Sequence, residues 1–109
     1  MNNVEKLLRA ASDLITKPGS NCKKSFARDI NGIKVQIESP EAVSFCAVGA
    51  LYKAVDITKN YSAFNVARFL LSGAAKNIFG CGSYHANDMF SGAPDIYSEA
   101  IEAASELNL

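Results

Sequence analysis

The sequence predicts a mainly α fold with a small β-hairpin, in the order α-ββ-α-α-α, forming a compact four-helix domain. Apolar residues recur at helical spacing in four segments, and one short segment alternates between apolar and polar residues beside an Asn-Gly pair. The chain has 109 residues, of which 49% are hydrophobic. This is enough for one core, so we expect residues 1–109 to form a single domain.

The first predicted helix has one apolar face and begins near the start of the chain. Its apolar residues follow the spacing of an amphipathic helix: Val4, Leu7, Leu8, Ala11, Leu14 and Ile15. Asn2 or Asn3 can cap its first turn, and Lys17-Pro18-Gly19 ends it. We expect this face to pack on another element.

A β-hairpin is predicted between Phe26–Ile30 and Ile33–Ile37, which flank Asn31-Gly32. The second arm alternates strictly between apolar and polar residues, as in a strand with one buried face. Asn-Gly suits the two positive φ angles of a type I′ turn. Because isolated hairpins are only marginally stable, we expect the apolar side to lie on the helices.

The second predicted helix begins at Ser39-Pro40-Glu41 and runs to about Val55. Nearly every position from Ala42 to Leu51 is apolar or small, which is typical of a central, buried helix. Its predicted buried seam is Val43, Cys46, Ala47, Ala50 and Ala54. Glycine is unfavourable inside a helix, so Gly49 indicates close contact with another helix.

Two further helices and a long loop complete the predicted fold. The third helix spans about Ser62 to Ile78, the segment Gly80 to Ala93 has no clean period and is predicted to be a loop, and the fourth helix begins at Pro94-Asp95. The main stripe of the third helix is Val66, Phe69, Leu70, Ala74 and Ile78, with Ala63, Ala67, Leu71 and Ala75 beside it. The fourth helix carries Ile96, Tyr97, Ala100, Ile101, Ala104 and Leu107.

The overall charge is balanced, with 11 basic and 11 acidic residues. This balance argues against nucleic acid or a membrane surface as the partner. The sequence has no apolar run long enough to span a membrane, and its start lacks the plan of a signal peptide. Three cysteines without a C-x-x-C pair suit a reducing compartment, so a cytoplasmic location is expected.

The charges are unevenly distributed along the chain. A basic surface is predicted at Lys17, Lys23, Lys24 and Lys34, near Arg28, and an acidic surface at Asp95, Glu99, Glu102 and Glu106, following Asp88. The two groups could serve solubility and attract each other, or they could be separate surfaces that face partners.

Two arrangements of cysteine and histidine are disfavoured by the sequence. Cys22, Cys46, Cys81 and His85 could form a zinc set, but there is no second closely spaced pair, so no metal or cofactor is predicted. A papain-like set of Cys46, His85 and Asn87 would need a cysteine at a helix N-terminus, whereas Cys46 is predicted about two turns inside a helix. No catalytic residues are therefore assigned.

The candidate ligand or partner site consists of polar side chains from two separate segments: Arg28, Asp29, His85, Asn87 and Asp88. If these residues converge beside the central helix, a guanidinium, an imidazole and carboxylates could bind an anion or perform acid–base chemistry. Alternatively, Asn87 and Asp88 are structural and satisfy loop amides or pair with Arg28.

Several short sequence motifs occur in the same order as the motifs of a known protein family. They are Phe26-Ala27-Arg28-Asp29, Asn31-Gly32, Pro40-Glu41-Ala42-Val43, Phe45 to Leu51, and Asn87-Asp88. The chain resembles a family of small bacterial and phage proteins, a domain of unknown function, with the motifs A-R-D-x-x-G, P-x-A-V-x-W-C-x-x-G-A-L and W-N-D. Phe45 and Ala86 stand where that family has tryptophan. The resemblance implies a shared fold and a cytosolic setting in a bacterial or phage-infected cell, without implying a reaction.

Two hypotheses for the function follow. The first is a small interaction or regulatory protein without enzymatic activity that binds another protein, for example a phage-encoded inhibitor of a host or defence protein. The second is a binder of a small ligand, such as a nucleotide or phosphate, or a hydrolase, using the candidate site. Self-association through the alanine-rich helices is compatible with either hypothesis.

Overall fold

The computed structural model describes residues 1–108, which form five α-helices and a two-stranded antiparallel sheet. The elements are α1 (Asn3–Ile15), β1 (Ala27–Arg28), β2 (Ser44–Phe45), α2 (Ala47–Thr58), one 3₁₀ turn (Tyr61–Ala63), α3 (Phe64–Phe79), α4 (Ser83–Phe90) and α5 (Ala93–Ser105). The mainly helical fold with a small antiparallel β element is confirmed. The predicted number of helices was wrong, since five are found instead of four.

Helix α1 agrees with its prediction and lies against α2 and α5. The Asn2 Oδ1 atom accepts a hydrogen bond of 2.8 Å from the Glu5 amide and so caps the first turn. The Asn2 Nδ2 atom donates to the Ala104 carbonyl oxygen at 2.7 Å, which ties the start of α1 to α5. The buried apolar stripe is Val4, Leu7, Leu8, Ala11 and Ile15.

The partner of β1 differs from the prediction. Residues 27 and 28 pair with 45 and 44 of β2, whereas the predicted second arm meets β1 only at an isolated Arg28–Lys34 bridge. The predicted type I′ turn is wrong, because Gly32 has a positive φ (80°) and Asn31 does not. A single left-handed glycine at the end of the loop is typical of a hairpin with a glycine bulge.

Helix α2 begins at Ala47 instead of Ser39. Ser39-Pro40-Glu41 forms only a turn, in which the Ala42 amide donates to the Ser39 carbonyl oxygen. The following segment is extended because the Phe45 backbone bonds with the Ser20 oxygen (2.9 Å) and the Cys22 nitrogen (3.0 Å). This long-range pairing overrides the local helix signal.

The prediction of a buried second helix holds for the start of α2, whereas Tyr52 and Ile57 are exposed. Residues 47–51 and Ala54 are all buried. The prediction that Gly49 contacts another helix is wrong. Gly49 lies against the backbone of Phe26, and a Cβ at position 49 would overlap the Phe26 carbonyl oxygen. Glycine is thus required where β1 crosses the start of α2.

Helix α3 forms nearly where it was predicted, but it is turned about its axis. The predicted main stripe is largely exposed, with Phe69 75% exposed, Ile78 43% and Val66 39%. The residues buried against the rest of the protein are Ala67, Leu71, Ala74 and Ala75. The larger apolar side chains, such as Phe69 and Ile78, lie on the exposed face and the alanines on the buried face, so the hydrophobic pattern favoured the wrong face.

Helix α4 lies in the segment that was predicted to be a loop. Its buried positions are Ser83, Ala86 and Asn87, which give no apolar period for the pattern to detect. Helix α5 agrees with the predicted fourth helix, with Pro94 in the first turn. Its Tyr97 is fully buried, and its hydroxyl donates to the Ala47 carbonyl oxygen at 2.6 Å.

Candidate functional site

Asn87 is a fully buried amide that joins α4 to two other segments. Its Oδ1 atom accepts hydrogen bonds of 3.0 Å from the Asn21 side chain and from the Ala47 amide. Its Nδ2 atom donates to the Cys22 carbonyl oxygen and to Asp88 Oδ1, both at 2.9 Å. Asn87 therefore caps the N-terminus of α2 from a different helix and uses all its hydrogen-bonding capacity.

Asp88 fixes the backbone of the neighbouring loop. Its Oδ1 atom accepts a hydrogen bond of 3.0 Å from the Lys24 amide. Lys24 has a φ of 61°, a left-handed conformation that lysine adopts rarely. Because this carboxylate oxygen is bound to the loop amide, Asp88 holds Lys24 in that conformation.

Arg28 and Asp29 hold the turn that connects the two arms of the predicted hairpin. Arg28 donates to the Gly32 oxygen (2.9 Å) and the Lys23 oxygen (3.0 Å). The Asp29 Oδ1 atom accepts from the amides of residues 31 and 33, both at 2.9 Å. Both side chains bond to backbone groups of their own loop.

Residues 29–33 form a turn whose two isoleucine side chains point into solvent, and we call it the Ile30 turn. Ile30 is 83% exposed and Ile33 is 61% exposed. Its backbone is further closed by hydrogen bonds between the Asp29 nitrogen and the Ile33 oxygen and between the Gly32 nitrogen and the Asp29 oxygen. The turn is therefore well ordered although its side chains are exposed.

The five predicted site residues fall into three places. Asn87 and Asp88 are adjacent and bond to the loop at residues 21–24. Arg28 and Asp29 bond within residues 23–33. His85 lies exposed on α4 with its ring edge-on to Phe90 at 5.8 Å. Among residues 1–108, no ion pair joins Arg28 to Asp88.

An open cleft of about 440 Å³ lies where the loop meets α4 and the start of α2. It is lined by Lys24, Ser25, Phe26, Lys34, Cys46, Tyr84 and Asp88, and we call it the lysine cleft. Phe26 and Tyr84, each 45% exposed, form an aromatic wall with ring centroids 6.0 Å apart. The cleft thus combines two ammonium groups, a carboxylate and two aromatic rings.

Cys46 lies in this cleft. The prediction that it lies inside a helix is wrong. Cys46 is the N-cap of α2, and its Sγ atom accepts a hydrogen bond from the Gly49 amide at 3.2 Å. Burial raises the pKa of the Cys46 thiol, although the Gly49 and Val48 amides oppose this effect. The thiol is therefore protonated at neutral pH, which disfavours a nucleophilic role. Among the described residues, Cys46 forms no hydrogen bond with His85.

A second cleft of about 400 Å³ lies on the other side of Phe26 and includes Tyr52. The Phe26 and Tyr52 rings meet edge to face at 5.7 Å. Arg68 of α3 lies 5.8 Å from the centroid of Tyr52 and 5.5 Å from that of Tyr84, and its guanidinium also reaches both hydroxyls. This cation–π arrangement fixes the aromatic side of the lysine cleft.

The basic and acidic groups occupy separate surfaces. All the predicted basic side chains are exposed, and Lys23 also donates to Ser91 at 2.7 Å. On α5, Glu99 is half-buried and accepts a hydrogen bond from Asn77 at 3.0 Å, while the other three predicted acids are exposed. None of the ion pairs within residues 1–108 joins the two groups.

Sequence reasoning missed the aromatic side chains of the lysine cleft. Phe26 was assigned to a hairpin arm and Tyr84 to a loop, so nothing indicated that their rings would meet. Lys24 and Lys34 were identified only as part of a basic surface. The position of Tyr84 depends on α4, whose sequence lacks an apolar period.

Comparisons with protein-family models, curated proteins and solved structures each found no match. The resemblance to a family of bacterial and phage proteins therefore stays a prediction. None of the helices in residues 1–108 combines the length and apolarity that crossing a bilayer requires. Over the same residues, no three histidine, cysteine, aspartate or glutamate side chains are grouped closely enough to hold a metal ion.

Proposed function

We propose that this protein is a small interaction protein, without enzymatic activity, that binds another protein through the Ile30 turn. The observation that carries the proposal is the exposure of Ile30 (83%) and Ile33 (61%) on a hydrogen-bonded turn. Single exposed apolar residues are common on protein surfaces. Two neighbouring isoleucines on a turn held by several hydrogen bonds are better explained as a contact for a partner.

The rigidity of the turn favours binding. The Asp29 carboxylate accepts two amide hydrogen bonds, and Arg28 donates to the Gly32 carbonyl. A loop that is already ordered loses less conformational entropy when it binds, and each side chain immobilised at an interface costs about 0.5–1.5 kcal/mol. The Ile30 turn therefore presents its isoleucines with little further ordering of the backbone.

The charge around the turn indicates the chemistry of the partner. Lys23, Lys24 and Lys34 are exposed near it, whereas one carboxylate oxygen of the nearby Asp29 is already bonded to amides. We therefore expect the partner to present an apolar pocket with an acidic rim, since complementary charge accelerates association and fixes orientation. A phage-encoded inhibitor of a host or defence protein is one particular form of this proposal.

The test places a photo-crosslinking amino acid at position 30 and, as a control, at position 57. Ile57 is also an exposed isoleucine (58%) but lies near the end of α2. In native-cell lysate, position 30 is expected to crosslink a protein that position 57 does not. Mass spectrometry of the product should place the contact in an apolar pocket beside acidic residues.

Binding of that purified partner is then compared for Ile30→Ser, Ile33→Ser and Ile57→Ser. We expect the first two variants to bind at least about tenfold more weakly, as at interface hot spots, and Ile57→Ser to bind like wild type. Affinity should also decrease as salt is raised. Equal binding by all three variants, or the absence of a product specific to position 30, would overturn the proposal.

A further inference from the structure

We infer that the lysine cleft binds a nucleoside monophosphate. This inference can fail separately from the proposed interaction, because the cleft does not include the isoleucines of the Ile30 turn and the two surfaces share only Lys24 and Lys34. The volume of about 440 Å³ lies within the range of roughly 300–1,000 Å³ that is usual for small-molecule sites. The chemistry of the lining residues selects the class of ligand.

The two lysines provide the site for the phosphate group. Lys24 and Lys34 both line the cleft. In the part of the chain that the structure describes, no carboxylate lies within 4.0 Å of either ammonium group. Two cations that share a cleft, neither of them in an ion pair among the described residues, favour a ligand with more than one negative charge, such as a phosphate monoester.

The aromatic wall provides a surface for the base. Phe26 and Tyr84 are each 45% exposed, and their rings are tilted by 59° instead of stacked on each other. Aromatic side chains that keep open surface can stack on a nucleic-acid base of any sequence. Arg68 bonds to the Tyr84 hydroxyl at 3.3 Å and so holds this ring in position before a ligand arrives.

Asp88 indicates which hydrogen-bonding groups the base must carry. Its Oδ1 atom accepts from Lys24 and Asn87, whereas its Oδ2 atom has no hydrogen-bond partner within the described residues. A free carboxylate oxygen repels phosphate and attracts an N–H donor, so we place it against the base and not against the phosphate. The exocyclic amino groups of AMP, GMP and CMP meet this requirement, whereas the one N–H of uracil lies between two carbonyl oxygens that repel a carboxylate.

The backbone at Lys24 also points to a ligand site. Its left-handed conformation (φ 61°) is held by the Asp88 hydrogen bond. Residues in sparsely populated backbone regions cluster at ligand sites, where the surrounding structure holds them in place. The same carboxylate therefore positions the lysine for the phosphate and offers an acceptor to the base.

Isothermal titration calorimetry at low salt tests the inference with AMP, GMP, CMP and UMP, and with inorganic phosphate and adenosine as partial ligands. We expect at least one of the three amino-bearing nucleotides to bind at least tenfold more tightly than either partial ligand and than UMP. Asp88→Asn, which keeps an oxygen for the Lys24 amide, should reduce the preference over UMP.

The matched variants are the double substitution Lys24→Gln with Lys34→Gln, and Lys76→Gln as the control. Lys76 is exposed on α3 and does not line the cleft. The double variant should bind the preferred nucleotide at least tenfold more weakly while remaining folded by circular dichroism, and Lys76→Gln and Ile30→Ser should bind it like wild type. No nucleotide binding, phosphate binding as tight as nucleotide binding, or unchanged affinity in the double variant would overturn the inference.

Discussion

The helical frame, formed by α1, α3 and α5, is built on small apolar side chains, whereas the loop region, formed by residues 20–46 and α4, is organised by one buried amide. The frame buries alanine and leucine at positions such as Ala67, Leu71 and Ala100. The loop region depends on the four hydrogen bonds of Asn87. The two regions therefore differ in how many side chains share the task of ordering the chain.

This difference has consequences for mutations. Apolar packing is divided among many residues, and the cost of each truncation depends on how well the site can close around it. A buried polar hub concentrates the cost, because removing one side chain leaves several buried groups without partners. We expect the loop region to be sensitive at a few positions and the frame to be moderately sensitive at many.

The largest expected effect is that of Asn87→Ala. The substitution leaves the Ala47 amide and the Cys22 carbonyl without this partner, and the Asn21 side chain keeps only its hydrogen bond to the Phe45 oxygen. Each unsatisfied buried group costs about 1–3 kcal/mol, so we expect the free energy of unfolding to fall by about 4 kcal/mol. Urea denaturation followed by circular dichroism measures this loss.

The matched control for this prediction is Asn77→Ala, which removes an exposed amide that bonds only to Glu99. We expect it to change the free energy of unfolding by less than about 0.5 kcal/mol. If Asn87→Ala lowers the free energy of unfolding by less than about 1 kcal/mol, water or a rearranged loop replaces the hydrogen bonds of Asn87. The contrast between the two regions would then disappear.

The next effect compares two helical glycines. Gly49→Ala places a Cβ onto the Phe26 carbonyl oxygen, whereas a Cβ at Gly73 meets nothing within 4 Å. We expect Gly49→Ala to destabilise the protein by about 3 kcal/mol, since the backbone must move. Gly73→Ala should stabilise it by about 0.5–1 kcal/mol through helix propensity. Thermal melts that shift both variants in the same direction would contradict this expectation.

A smaller effect concerns alkaline pH. Burial raises the pKa of the Tyr97 hydroxyl well above its usual value of 10.0. Below that pH both the folded and unfolded states keep the proton; above it only the unfolded state releases it. The free energy of unfolding therefore falls as pH rises beyond about 10, by at most about 1.4 kcal/mol per pH unit from this group.

Tyr97→Phe isolates this contribution. The variant should be less stable at neutral pH by about 1–2 kcal/mol, because the Ala47 carbonyl loses its donor. It should then lose stability less steeply than wild type between pH 10 and about 11, as measured by urea denaturation at each pH. Burial also raises the pKa values of Cys22 and Cys46, but both thiols are present in both proteins. Parallel curves would mean that Tyr97 does not titrate differently on unfolding.

The smallest effect compares two lysines of the basic surface. Lys24 has a φ of 61°, so Lys24→Gly relieves backbone strain and should stabilise the protein by about 0.5 kcal/mol after the entropy of the unfolded chain is included. Lys34→Gly, at a position without positive φ, should destabilise it by about 0.5–1 kcal/mol. Differential scanning calorimetry distinguishes the two signs. A destabilised Lys24→Gly would show that the lysine side chain itself holds the loop.

Much of the helical frame could be predicted because its signals are local. The apolar spacing and Asn2 cap indicate α1, and Pro94 indicates the start of α5. The rotation of α3 could not be predicted, since larger apolar side chains such as Phe69 lie on its exposed face while its alanines lie on the buried face. The start of α2 depends on Phe45 pairing with residues far away in sequence, a contact that local propensity does not report.

The candidate site shows the same limit more clearly. Asn87 and Asp88 could be singled out as polar residues in an irregular segment. Their partners, however, lie at residues 21, 22, 24 and 47, which no spacing rule connects to them. The aromatic wall likewise depends on residues 26 and 84, which are brought together only by the folded chain.

The Ile30 turn also affects how the protein ages chemically. Asn-Gly pairs deamidate when the glycine nitrogen attacks the preceding amide side chain, and glycine offers no side chain to hinder this. Here the Gly32 nitrogen is engaged with the Asp29 oxygen at 3.0 Å, which restrains that attack. The conversion of Asn31 to aspartate should therefore be slow in folded protein and fast after unfolding. The modification can thus serve as a record of how long a stored sample has spent unfolded.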